Sequence, residues 1–286
     1  MTRPMTATKL VACLLAGAAL SLPASQSAWA GAVLTGFDSN TLPADDDGST
    51  GVISLPFSID FYGTTYNSLF INNNGNLTFN EAQSTYTPYG VGSSYVGQPI
   101  IAPFFADVDT RGTGSGLTSW GTGTYDGYQA IGVTWPGVGY YAAETDKLNT
   151  FQVLLVDRPD LGTGDFEIVF NYDQIQWETG GASGGVDGLG GTSAAVGFSN
   201  GTGDAGTYYQ FDGSLVNGAL IDGGPNSLTG HTNDGVLGQY TFLVENGNIV
   251  VPTVPEPSTW AMMALGFAGI GFLGWRGSSK PAAPAA

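Results

Sequence analysis

The chain has 286 residues and carries 24 Asp and Glu against 7 Lys and Arg, a formal net charge of −17. Phosphate backbones repel such a surface, so nucleic acid is excluded as a partner. Nearly all of its 45 glycines lie between two apolar ends, which disfavours long helices because an interior Gly costs about 1 kcal/mol against Ala. The only cysteine, Cys13, falls in the first apolar stretch; the rest of the chain can form no disulfide, and zinc-thiolate and thiol chemistry go with it.

Residues 1–30 read as a Sec-type signal peptide. Arg3 and Lys9 supply the positive start, residues 10–22 are apolar, and Ala28-Trp29-Ala30 is an A-x-A cleavage site before Gly31. A lipoprotein site at Cys13 would need its apolar run before the cysteine, whereas here the run follows it.

Residues 31–245 read as one all-β domain, an antiparallel β-sandwich or meander. Period-two alternation puts Phe57, Ile59 and Phe61 on one face of a strand, Ile131, Val133 and Trp135 on another, and Phe166, Ile168, Phe170 and Tyr172 on a third. The run 151–156, apolar but for Gln152, suits a central strand buried on both sides. Asn74-Gly75, between Leu69-Phe70-Ile71 and Leu77-Thr78-Phe79, predicts a hairpin with a type I′ turn, in which both central residues take positive φ. Residues 179–192 and 212–237 read as long irregular loops, of the kind that often serve as binding surfaces.

Two acidic groups stand out along this stretch. Asp45-Asp46-Asp47 and Asp107-Val108-Asp109 gather hard oxygen ligands of the type Ca²⁺ prefers, although Arg111 and Thr118 occupy places where an EF-hand would need acidic ligands. If the strand continues through them, Asp107 and Asp109 share a face and repel each other unless a cation or a donor intervenes. Two outcomes stay open: an ion pair with Arg111, or a low-affinity Ca²⁺ site. No other cofactor is expected.

Catalytic patterns lack their context. Gly181-Ala182-Ser183-Gly184-Gly185 matches G-x-S-x-G, followed by Asp222 and the sole histidine, His231, but a nucleophile elbow needs a strand before the serine and a helix after it. The run from Gly201 to Gly206 satisfies G-x-G-x-x-G yet opens no helix, and reads as a turn. The chain is therefore expected not to be an enzyme. Tyr86, Tyr89, Tyr95, Tyr140 and Tyr141, in polar Gly-rich surroundings, are candidates for stacking on sugar rings or for covering the core.

Taken in order, Asn72-Asn73-Asn74-Gly75-Asn76-Leu77-Thr78-Phe79, the run from Ile101 to Thr110, Leu148-Asn149-Thr150-Phe151-Gln152, the run from Asp165 to Tyr172 and Ala195-Val196-Gly197-Phe198 resemble the nidogen-like (NIDO) extracellular domain over about residues 55–211. The resemblance implies an extracellular role in cell-matrix adhesion and names no ligand.

Residues 246–258 read as a linker and 259–275 as a transmembrane helix, followed by a short cytoplasmic tail, 276–286. The span 257–275 carries no charge and would extend about 28 Å as a helix, with Trp260 and Trp275 at the interfaces and Arg276 and Lys280 beyond. Pro255-Glu256-Pro257 before it and Arg276 after it resemble the PEP-CTERM sorting signal of Gram-negative exopolysaccharide producers. That likeness implies an exosortase-type processing protease as partner and an address in the envelope or extracellular matrix, with the membrane as at least a transient anchor. The sequence as a whole reads as an exported matrix or adhesion protein. An exopolysaccharide-binding module is the alternative and a secreted hydrolase a more distant one.

Overall fold

The structure is a computed structural model and describes residues 32–250. The expected signal peptide, PEP motif and transmembrane helix lie outside these residues. Among the described residues, no helix is long and apolar enough to cross a membrane.

The described chain is a succession of strands: β1 (Asn40–Thr41), β2 (Ile53–Phe61), β3 (Thr64–Asn72), β4 (Asn76–Thr78), β5 (Ile100–Phe105) and β6 (Val108–Asp109). There follow β7 (Ser119–Tyr125), β8 (Tyr128–Tyr140), β9 (Glu144–Asp157), β10 (Phe166–Gln174), β11 (Gly185–Val186) and β12 (Leu189–Gly190). The last four are β13 (Ala195–Ser199), β14 (Tyr208–Gln210), β15 (Gln239–Glu245) and β16 (Asn248–Val250). One large sheet has eight strands in the order β1-β7-β8-β9-β10-β15-β16, with β6 also paired to β8; the other has six, in the order β14-β13-β5-β4-β3-β2, and β11 and β12 form a separate two-stranded antiparallel ribbon. The pairings within both sheets are antiparallel. The final strand, Asn248–Val250, lies within the stretch that the sequence assigns to a linker; it is short, and its pairing with β15 is what makes it a strand.

The sheets share one core, as the alternation requires. Leu69, Ile71, Leu77, Ile101 and Phe104 from the smaller sheet join Val133, Trp135, Phe151, Val153, Ile168, Phe170 and Phe242 from the larger in a single buried cluster. This is the interior of a sandwich. Trp135 stacks on Phe151 with ring centroids 4.9 Å apart, and Phe104 meets the edge of Trp177 at 5.7 Å.

Neither outer face is bare. On the larger sheet, Leu154, Val156, Val169 and Ala130 form a second cluster with Phe37 from the start of the domain, which is why residues 153–156 are apolar on both faces. A Cβ on Gly132 would stand 2.5 Å from the Phe37 ring, so that position admits the ring only as glycine, and one on Gly123 would press on it at 3.0 Å. Gln152 fixes the same strap, accepting from the Leu34 N–H at 3.1 Å and donating to the Leu34 carbonyl at 2.8 Å. On the smaller sheet, Val91 and Tyr95 close over Ile100, Ala102 and Phe105.

The sandwich has two unlike ends. At one, three turns interlock: the Asp60 N–H donates to Gly164, the Tyr62 N–H to Gly247 and the Asn246 N–H to the Asp165 carboxylate, all within 2.9 Å. The other end gathers the β3–β4 hairpin, the β5–β6 link, the β8–β9 turn and the loop after β10.

Candidate functional site

Buried amides organise this second end. Asn72, Asn73, Asn74 and Asn76 are all no more than 1 % exposed, and buried amides must find partners. Asn73 Nδ2 donates to the carbonyls of Asp45 (3.2 Å), Asp46 (2.6 Å) and Val108 (2.6 Å), clamping residues 45–47 against β6. Trp135 Nε1 donates to the Asn73 carbonyl at 2.9 Å and anchors the clamp in the core. Asn74 Nδ2 donates to Asp47 Oδ1 at 2.8 Å, while Asn74 Oδ1 accepts from the Val108 N–H at 2.9 Å. The hairpin forms where Asn-Gly predicted it, but Asn72 pairs with Asn76 and leaves a three-residue loop. Gly75 alone in that loop has positive φ, at +74°, so the turn is not type I′.

The strand does not continue through the two acids of the β5–β6 link. It breaks at Ala106 and Asp107, and the break sends the carboxylates to different partners. Asp109 is held by Arg111, whose Nε lies 2.9 Å from Oδ1 and Nη2 2.6 Å from Oδ2, with a further bond from the Ala143 N–H at 2.7 Å. Burial works to raise the Asp109 carboxyl, but the guanidinium and the backbone N–H groups of Arg111 and Ala143 hold it below its usual range.

Asp107 instead joins Asp46 and Asp47: one carboxylate oxygen from each lies within 4.8 Å of the others. Asp107 is 2 % exposed. Burial first, then the charges of Asp46, Asp47 and Asp109, push its carboxyl up to about 7. Asp46 rises to about 6, again chiefly from burial and then from Asp109 and Asp47. The sequence flagged Asp45-Asp46-Asp47 as a group, yet nothing in it pairs that group with Asp107; Asn73 makes the pairing.

Beside this cluster the β8–β9 turn and the loop after β10 form a half-open pocket of about 270 Å³, lined by Tyr140, Tyr141, Glu144, Asp146, Gly181 and Asp187 among others. The Tyr141 N–H donates to the Asp107 carbonyl and the Gly181 N–H to the Tyr141 carbonyl, so cavity wall and acidic cluster share a backbone. Tyr140 donates to Asp146 Oδ1 at 2.7 Å. The other tyrosines divide: Tyr95 is buried, whereas Tyr89, which stacks on it at 5.6 Å, and Tyr86 are both exposed.

Ser183 sits in a 3₁₀ turn, Gly181–Ser183, with no strand–helix elbow around it. Its Oγ shares a hydrogen with Thr87 Oγ1 at 2.7 Å, whereas His231 Nδ1 faces the Ser227 carbonyl and Asp222 accepts from Thr229. The three do not form a relay. The G-x-G-x-x-G run is the turn between β13 and β14.

Comparison with known proteins gives two family matches: a nidogen-like domain over residues 67–246, and a PEP-CTERM protein-sorting motif over residues 253–278. The first extends further towards the C-terminus than the motifs legible in the sequence. Alpha-tectorin from Mus musculus is 31 % identical over 234 residues, covering 72 % of this chain and 10 % of its own length. Nidogen from Drosophila melanogaster is 31 % identical over 220 residues, covering 69 % of this chain and 15 % of its own. The matched region is thus about a tenth of the alpha-tectorins, 10 % in the Homo sapiens protein as well. No solved structure matches.

Proposed function

Because the chain belongs to the nidogen-like domain family and carries a PEP-CTERM protein-sorting motif, we propose that it is an exported, non-enzymatic adhesion or matrix protein, delivered through that motif to the cell envelope or exopolysaccharide matrix. The carrying observation is the arrangement of the two matches, with the domain ending at residue 246 and the motif starting at 253. The A-x-A site before Gly31 supplies the export step, and an exosortase-type protease would act at Pro255-Glu256-Pro257 to remove the apolar tail ahead of Arg276. The closed sandwich supports a binding role over catalysis, since Ser183, Asp222 and His231 each have separate structural partners.

Mass spectrometry of the released protein tests the reading. It should find an N-terminus at or near Gly31 and no apolar tail. Met1 in the extracellular fraction would contradict export by cleavage, and an intact Ala286 there would contradict tail removal.

The cavity favours a second reading, an exopolysaccharide ligand: ring hydroxyls bond well to carboxylates, and an aromatic face accepts a sugar. On this reading Tyr141→Ala and Asp187→Asn each weaken retention on the cell's own exopolysaccharide by about tenfold, the first through a lost stacking face and the second through a lost charged hydrogen bond. Equal retention of wild type and variants in a pull-down would remove the cavity from consideration.

A further inference from the structure

We propose that Asp46, Asp47 and Asp107 bind a divalent cation of the calcium class, which ties residues 45–47 to the β5–β6 link. The site differs from an Asp107–Asp109 pair, because Arg111 occupies both oxygens of Asp109.

Three carboxylates brought within 4.8 Å of one another would by themselves be no more than an acidic patch. What points to a ligand is the state of their oxygens. Asp107 is 2 % exposed and its Oδ2 has no hydrogen-bond partner; Asp46 Oδ1 is likewise buried and unpartnered. Buried oxygens of this kind are normally satisfied, and a buried carboxylate left without a donor is costly. Among the described residues only three carboxylate oxygens are orphaned in this way, and two belong to this cluster.

The nearby donors are already committed. Arg111 reaches Asp46 only through Oδ2, at 3.0 Å, while it grips Asp109. Asn74 serves Asp47 Oδ1 and not the orphaned atoms. The Asn73 clamp fixes residues 45–47 from behind, and Thr110 adds to it: its Oγ1 accepts from the Asp45 N–H and donates to the Asp45 carbonyl, both at 2.9 Å. The ligands are therefore held in place before any ion arrives, which lowers the ordering cost of binding. The all-oxygen set, without His or Cys, selects a hard cation, and three carboxylates from irregular segments suit the flexible coordination of Ca²⁺ better than the strict octahedron of Mg²⁺. Water completes the shell.

The competing occupant is a proton, and calcium titration separates the two. The mature protein, stripped with EDTA and dialysed, is titrated with CaCl₂ by calorimetry and melted with and without Ca²⁺. The expected result is one saturable site and a midpoint that climbs with Ca²⁺ concentration, as mass action requires, with a smaller climb for Mg²⁺. Asp107→Asn should weaken calcium binding by at least about tenfold, since affinity follows ligand charge. It should also leave the EDTA-treated protein as stable as wild type or more so, because like-charge repulsion is relieved. Asp160→Asn, at the far end of the sandwich, should bind as wild type does. No heat and an unchanged midpoint at millimolar Ca²⁺ would overturn the proposal, and so would undiminished binding by a folded Asp107→Asn variant.

Discussion

Gly75→Ala should cost the domain more than about 4 kcal/mol and leave little folded protein to recover. Two effects combine. A side chain at φ +74° carries a backbone penalty of about 1–2 kcal/mol, and the new Cβ would lie 1.8 Å from the Phe104 carbonyl oxygen and 3.3 Å from the Phe151 ring. Backbone cannot move aside as a flexible side chain can, and the Phe104 N–H is itself bonded to the Gly75 carbonyl at 3.2 Å. Relief would break the join between the hairpin and β5, beside Asn73 and Asn74. Gly127→Ala is the control: φ is +85° with nothing within 4 Å of the added Cβ, so it should lose only the backbone penalty of about 1–2 kcal/mol. Urea denaturation of both variants checks the contrast. Equal losses would mean that sterics at Gly75 are not the cause.

Glu178→Ala should destabilise by about 3 kcal/mol, the usual scale for removing one side of a buried charged contact. Glu178 is fully buried, its Oε1 accepts from the Leu220 N–H at 2.6 Å and its Oε2 from the Gly218 N–H at 2.7 Å. That pair of bonds pins part of the irregular 212–237 segment to the sandwich. Burial raises its carboxyl above the ordinary 4.5, against the opposing pull of the Leu220 and Gly218 donors. The folded state thus holds this proton more tightly than the unfolded state does. Between 4.5 and the raised value the native protein carries more protons, so the stability contributed by this group falls as pH rises through that window and is greatest below it. Glu178→Gln, which cannot titrate, should lack this component. Denaturation of wild type and Glu178→Gln from pH 4 to pH 7 measures it as a difference, and a difference that grows in favour of wild type with rising pH would reverse the sign.

Strands were legible wherever one face is buried and the other wet, as at Phe57, Ile59 and Phe61, because the pleat writes its period into the sequence. The straps were not. Phe37 and Val91 are isolated apolar residues in Gly-rich stretches with no period to betray them, and the targets of Phe37 lie about a hundred residues along the chain; Tyr95 was visible only as an aromatic that could cover the core or stack on sugar. The acidic cluster was half legible. Reasoning from two-residue spacing placed Asp107 with Asp109, but the break at Ala106 and Asp107 cancels that geometry. The true neighbours, Asp46 and Asp47, are brought to Asp107 by Asn73, which bonds the carbonyls of Asp46 and of Val108, the residue after Asp107, across a long stretch of sequence. The asparagine run was visible as a motif, yet only burial shows that it works as a clamp.

The two unlike ends give the molecule a polarity. The chain leaves the sheet at Val250, just after the turn at Asn246 and Gly247 that belongs to the interlocked end. The groups that could meet a ligand, Asp46, Asp47, Asp107 and the tyrosine-walled cavity, all gather at the opposite end. One end of the sandwich is thus committed to holding the fold together, while the other concentrates its unpaired carboxylates.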